Sequence, residues 1–318
     1  MKVIQHLNNL QNLRKKFFTF EILPPVKGKN INDILKLIEQ LALFNPPWIN
    51  VTSHASSIIE TKDERNNNII KKKFHKRPGT MGICGIIQNK FAIDAVAHVL
   101  CQGFSRDETE NLLIELNYLG VDNVLALKGD NLNYNKEFDY NKTSNCYASD
   151  LISQINLMKS GVFIDHTDYN PIDFCVGAAG YPEKHINAID LDSDIQFLKQ
   201  KIANGAQYIV TQMFFDNSYY YNFVNKCRLN GITVPIIPGI KVLKSSNQIN
   251  NLPNVFNVTI PDKLKKIVQD NPNTVEAVCA QWAQYQIEDL FTNGVNGVHL
   301  YVMNDFKIIQ TILQNFSH

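Results

Sequence analysis

The stretch Phe17-Phe18-Thr19-Phe20-Glu21-Ile22-Leu23-Pro24-Pro25 reads as a buried strand that two prolines stop. One carboxylate, Glu21, lies inside it. An unpaired charge is costly to bury, so a glutamate there is paired, neutral, or turned towards a cavity. Outward from it, seven more short apolar runs follow at 48–53 (WINVTS), 93–101 (IDAVAHVLC), 123–127 (NVLAL), 173–179 (DFCVGAA), 208–215 (YIVTQMFF), 234–240 (VPIIPGI) and 297–302 (GVHLYV). Several are apolar on both faces, as parallel strands covered by helices are. Between them lie helical patterns at 32–44, 105–120, 192–205 and 217–231, several opened by Ser, Asp or Asn and closed at Gly. Residues 80–91 (TMGICGIIQNKF) fit either period and are assigned to a helix, because a strand follows almost at once. The alternation predicts an α/β fold, a (β/α)8 TIM barrel in a single domain over residues 1–318, with extra helices in long βα loops. An open doubly wound sheet is the alternative, but no G-x-G-x-x-G follows any strand.

The rest of the chain bounds the function. With 31 Lys+Arg against 30 Asp+Glu, it carries no electrostatic footprint for nucleic acid or an anionic membrane. The lysine-rich KKKFHKR at 71–77 reads as a solvated helix end or loop. No run approaches the roughly 18 apolar residues of a membrane span. Residues 1–16 read as a short amphipathic helix with Val3, Ile4, Leu7, Leu10 and Leu13 near one face. The six cysteines form no CxxC pair, which points to a reduced, cytoplasmic protein without a zinc site. Two connections are long: 131–147, which is polar and asparagine-rich, and 241–295, expected to add helices before the last strand.

In a barrel, chemistry gathers at the C-terminal ends of the strands. Those ends carry Glu21, Thr52-Ser53-His54, His98, Lys128-Gly129-Asp130, Tyr181 with His185, Gln212, and Tyr301 with Asn304. There is no HExxH, no phosphate loop and no Ser–His–Asp order. The set suits a polar heteroaromatic ligand and a proton managed near neutral pH.

In chain order, F-x-F-E-x-x-P-P (18–25), V-T (51–52), A-L-K-G-D (126–130), Y-A-S-D-L (147–151), A-A-G-Y-P-E-x-H (178–185), T-Q-x-F-F-D (211–216), I-I-P-G-I (236–240) and H-x-Y-x-x-N (299–304) resemble methylenetetrahydrofolate reductases, in particular the compact bacterial type that consists of the catalytic barrel. The resemblance implies FAD held in the barrel mouth and NADH or NADPH as co-substrate, with NADH favoured. It implies ping-pong reduction of 5,10-methylenetetrahydrofolate to 5-methyltetrahydrofolate, in one-carbon metabolism and methionine supply. It makes Glu21 the acid that protonates a ring nitrogen of the folate. In an apolar strand its pKa is expected to be raised. Asp130 falls near flavin and pterin, although alone a GD after a strand is more simply a turn or N-cap. Gln212 matches a glutamine touching folate and nicotinamide, Gln248 a second folate-side glutamine, and Tyr301 completes the substrate set. For FAD the match selects Thr52, Ser53, Ala55, His98, Lys128, Gly129, Asp130, Ala148, Tyr181, His185, Ala188, Asp194 and Lys201. A homo-oligomer is expected, with neither nucleic acid nor membrane as partner.

The chain also departs from the pattern. Phe197 and Gln200 stand where some relatives have Asn and Arg on the helix that meets the cofactor, which leaves more of that load to Lys201. Asp305 replaces an arginine that binds folate in some relatives and would repel its glutamate tail, with Lys307 nearby as a substitute. The chain ends soon after the last strand, so no C-terminal regulatory domain and no inhibition by S-adenosylmethionine are expected. The competing readings are a folate- or flavin-binding homologue without turnover that serves as a partner subunit, and another (β/α)8 lyase or aldolase.

Overall fold

A computed structural model describes residues 1–55, 57–62, 69–74, 76–129, 144–166 and 169–316. Eight parallel strands close into a barrel: β1 (Phe17–Ile22), β2 (Trp48–Val51), β5 (Asp94–Leu100), β6 (Asn123–Leu127), β7 (Cys175–Gly180), β8 (Tyr208–Met213), β9 (Ile236–Ile240) and β10 (Gly297–Met303). Pairing of β1 with both β2 and β10 closes the ring and excludes the open sheet. The described residues also form eleven helices: α1 (Val3–Asn12), α2 (Ile31–Ala42), α3 (Thr80–Lys90), α4 (Arg106–Tyr118), α5 (Ala148–Lys159), α6 (Leu191–Ala203), α7 (Asn217–Leu229), α8 (Ser246–Phe256), α9 (Asp262–Asp270), α10 (Val275–Thr292) and α11 (Lys307–Gln314). Residues 80–91 are the predicted helix, and 241–295 carry the expected extra ones, α8 to α10.

Helix starts follow local chemistry. Ser105 Oγ accepts the Glu108 N–H while the Glu108 carboxylate accepts the Ser105 N–H, a capping box at α4. Asp190 accepts the Ser193 N–H at 2.8 Å and opens α6.

One expectation fails. The first four residues of KKKFHKR are not a helix end or loop: residues Ile69–Phe74 form β4, antiparallel to β3 (Ser57–Lys62), in a two-stranded ribbon between β2 and α3. Isoleucines in both segments favour extended backbone. Nothing demands an apolar alternation from a ribbon standing in solvent, where Lys62, Ile69 and Lys72 are exposed.

Period-2 alternation sorts the barrel into two cores. Outward residues such as Phe20, Ile22, Ile49, Val124, Ile209 and Leu300 pack under the helices. Inward ones near the strand starts, including Phe17, Trp48, Val96, Leu125, Tyr208 and Ile237, form a separate cluster that Val3 and Leu7 of α1 close from below. The Val3 N–H donates to Asn123 Oδ1 at 2.8 Å and His6 lies 2.7 Å from Asp94, which fixes α1 as a plug. Large rings fit inside because glycine faces them: a Cβ on Gly177 would stand 2.4 Å from the Tyr208 ring. The apolar plug leaves polarity for the other end of the barrel.

Candidate active site

Above the plug the inward positions turn polar, namely Thr19 and Glu21 on β1, Asn50 on β2, His98 on β5, Gln212 on β8, and His299 and Tyr301 on β10. Glu21 is 8% exposed, and its register partners are Tyr301 on one side and Asn50 on the other. Its Oε2 lies 3.6 Å from Nε2 of His98 and 3.6 Å from Nε2 of His299. His299 is fully buried, with Nδ1 2.8 Å from the Thr19 hydroxyl, its ring edge-on to Tyr301 and its Nε2 without a hydrogen-bond partner. His98 Nε2 is 3.2 Å from the Asn50 amide, whose Oδ1 is likewise unpaired.

This geometry corrects the expected direction of the Glu21 pKa. Burial pushes it up, but His299, His98 and Lys241 together hold it below the ordinary carboxylate value. The outer face of the strand is apolar throughout; on the inner face, above Phe17, Glu21 lies between two imidazoles and feels the charge of Lys241. Burial drives His98 down to about 4, so it is neutral at pH 7. Burial also lowers Lys241, and it raises the Tyr301 hydroxyl far above its usual range. Tyr301 donates to the Thr211 carbonyl at 2.6 Å across β9, which a side chain at Gly239 would block: its Cβ would stand 2.3 Å from that oxygen.

A second group gathers at the ends of β6 and β7. Tyr181 and His185 meet edge to face at 4.7 Å, and Asp194 of α6 accepts the His185 N–H at 2.9 Å. Lys201 donates to the Ala179 carbonyl at 3.2 Å and lies 5.8 Å from the Tyr181 ring centre. Lys128 lies 5.3 Å from the ring centre of Tyr147. Burial lowers His185, with Lys201 and Lys128 adding to the effect. Burial also lowers Lys201 and raises Asp194. Gly129 adopts φ +94°, which only glycine takes easily, and packs on Gln102. Ala148 begins α5, and Ala188 holds the Lys184 amine through its carbonyl. Thr52, Ser53 and Ala55 follow β2 at the same rim, with the Thr52 hydroxyl 3.2 Å from His54. Burial and Arg77 lower His54.

Gln212 and Gln248 stand in the β8 and β9 sectors of the rim. Asp130 and most of the 131–147 connection, up to residue 143, lie outside the described residues. Asp305 is not a free repelling charge: Lys244 pairs with it at 2.8 Å, and it accepts the Lys307 N–H. Thr19, Asn50 and Lys241 escaped the sequence reading, and His299 entered it only as a motif letter. The first two were detectable, since polar residues two apart in an apolar strand share its inner face. Two surface cavities, of about 300 Å³ beside Lys159 and about 600 Å³ beside Arg228, lie at the opposite end of the barrel, among helix ends and strand starts. No helix among the described residues is long and apolar enough to cross a membrane.

Comparison with known proteins places this geometry in a family. The family model described as methylenetetrahydrofolate reductase matches residues 5–317. The chain is 27% identical to methylenetetrahydrofolate reductase (NADH) 1 of Arabidopsis thaliana, with all of this chain and 51% of the relative covered. It is 28% identical to 5,10-methylenetetrahydrofolate reductase of Buchnera aphidicola, covering 98% and 96% of the two chains. It thus spans about half the length of the first curated relatives and nearly all of the Buchnera protein. Among solved structures, an uncharacterised Clostridium thermocellum protein described as binding two copies of 5-methyl-5,6,7,8-tetrahydrofolic acid has the same fold, with a TM-score of 0.60, 14% identity and 96% of each chain covered.

Proposed function

The chain belongs to the methylenetetrahydrofolate reductase family, and on that premise we propose that it reduces 5,10-methylenetetrahydrofolate to 5-methyltetrahydrofolate, using FAD and a reduced nicotinamide, NADH before NADPH. The product would serve one-carbon metabolism and methionine supply, in the cytoplasm, from residues 1–318 as one catalytic barrel that self-associates. The observation that carries the reading is Glu21, an inward carboxylate at the barrel mouth with a buried imidazole 3.6 Å away on either side.

The rim suits a flavin dinucleotide by its chemistry. Lys128 and Lys201 supply cations for phosphate oxygens, Gly129 lets the backbone approach, and Tyr181 offers a ring face. Thr52, Ser53, Ala55, His98, Asp130, Ala148, His185, Ala188 and Asp194 complete the proposed contacts. FAD, when bound, supplies hydride transfer in two separate halves, one with each substrate.

The residues of this chain manage the proton. Opening the five-membered folate ring needs a proton on a weakly basic nitrogen, and Glu21 is the carboxyl placed to deliver it. In the ligand-free chain that carboxyl is ionised near neutral pH. A ligand covering it excludes water, which disfavours the charged form, so the carboxyl takes up a proton from solvent as the ligand enters. His299 steadies the carboxyl, and the Thr19 hydroxyl at its Nδ1 holds the ring in the orientation that turns Nε2 to Glu21. Asp130 is assigned the developing positive charge on the opened ring, and Tyr301, Gln212 and Gln248 the positioning of the pterin. The test is direct. The purified protein is expected to show flavin absorbance, to oxidise NADH with menadione, and to reduce the folate. A protein that takes up no FAD would refute the reading.

A further inference from the structure

The rim glutamines carry a constraint on what they can bind. Along β8 and β9 the register runs from Val210 opposite Ile237 to Met213 opposite Gly239, so β8 holds one extra residue. Such a bulge leaves backbone groups without ladder partners. Its groups are claimed from the side: Tyr301 donates to the Thr211 carbonyl, the Thr211 hydroxyl accepts the Gly239 N–H, and Gln212 Oε1 accepts the Met213 N–H at 2.9 Å. Gln248 is held in the same way. It stands in the first turn of α8, and its Oε1 accepts the Lys244 N–H at 2.8 Å, as a glutamine in that turn does when it reaches back to the backbone before the helix.

In both cases this bond sets the orientation of the amide. A half-turn would set its NH2 against a backbone N–H, donor facing donor. Both side chains are half-buried at the rim, and among the described residues neither Nε2 has a partner. We propose that Gln212 and Gln248 act as donor-only contacts, so that the ligand edges facing them carry acceptors: ring carbonyls, imine nitrogens or carboxylates. The inference rests on the reductase reading and sharpens it. A nicotinamide carboxamide would meet Gln212 through its carbonyl oxygen, and a pterin would face the glutamines with its carbonyl and ring-nitrogen edge rather than its exocyclic amine. Because the oxygen stays committed, one donor serves both substrates in turn. Ligands offering a donor at that point are rejected.

The test uses the whole FAD-loaded protein and two variants, Gln212→Glu and Gln248→Glu. A carboxylate oxygen retains the bond to the Met213 or Lys244 N–H, so urea midpoints are expected to match the wild type. The donor is lost, so KM for the folate should rise about tenfold or more in each variant. The nicotinamide contact is read from inhibition of NADH–menadione turnover by NAD and by 3-acetylpyridine adenine dinucleotide, which keeps the carbonyl and lacks the amine. Gln212→Glu is expected to weaken both inhibitors equally. A loss confined to NAD would mean that the contact runs through the amine and would overturn the proposal, as would unchanged constants with an intact urea midpoint. Absence of NADH–menadione turnover in the wild type would remove the reductase reading itself, and this inference with it.

Discussion

Replacing His98 with glutamine should flatten the acid limb of the stability curve. His98 is 4% exposed, and burial lowers its pKa from 6.5 to about 4. The unfolded chain therefore takes up a proton near 6.5 that the folded chain refuses until about 4. Stability from this group is fully present above 6.5, and it falls with pH across that window because the unfolded state binds more protons there. At about 1.36 kcal/mol per pH unit the whole window is worth about 3 kcal/mol, of which about 2 kcal/mol is lost between pH 7 and 4.5. Glu21 acts at lower pH: its folded value lies below 4.5, so its contribution is held above 4.5 and lost as pH falls through the folded value. His54 and His185 are also lowered and add to the wild-type slope, which is why the difference between proteins is read. Urea unfolding at pH 7, 6, 5 and 4.5 measures it. The variant is expected to start less stable, through lost packing beside Asn50, yet to lose about 2 kcal/mol less on acidification. Parallel losses in the two proteins would refute the claim that the fold holds His98 neutral beside Glu21.

Three further outcomes are expected. Glu21→Gln should retain NADH–menadione turnover and lose folate reduction by about 10²-fold or more, the usual scale of a missing general acid; equal loss of both activities would contradict its role. Gly239→Ala should cost about 3 kcal/mol by overpacking, since the new Cβ meets the Thr211 carbonyl at 2.3 Å and the Tyr301 ring at 2.7 Å, and it should raise KM for the folate as Tyr301 is displaced. Phe197, 53% exposed, shares a flank of α6 with Asp194 and Lys201, and it is expected to offer its ring to the adenine of FAD. Phe197→Ala should then weaken FAD by about fivefold or more and leave FMN unchanged in equilibrium fluorescence titrations; equal effects on both flavins would sink the assignment.

The elements of the barrel were legible because their signals are local. Alternating apolar residues in FFTFEI and WINV, caps such as Ser105 with Glu108, and glycines after helices are read within a few positions, and the eight strands lie close to where they were predicted. The ribbon of β3 and β4 was not legible, because a two-stranded sheet in solvent imposes no apolar pattern and its lysines resemble those of any exposed segment. The sequence by itself determined that a carboxylate sits inside the first strand and must answer to something. What it answers to belongs to the tertiary structure alone. His98 comes from β5, His299 from β10 and Lys241 from the turn after β9, and only closure of the ring carries their fields to Glu21. Burial is a property a strand can announce from its own composition, whereas the sign of a pKa shift depends on which charges the other strands bring within a few ångströms. The same limit held for Gln212. The residue was visible in the sequence, but the bulge that commits its oxygen exists only in the pairing of β8 with β9.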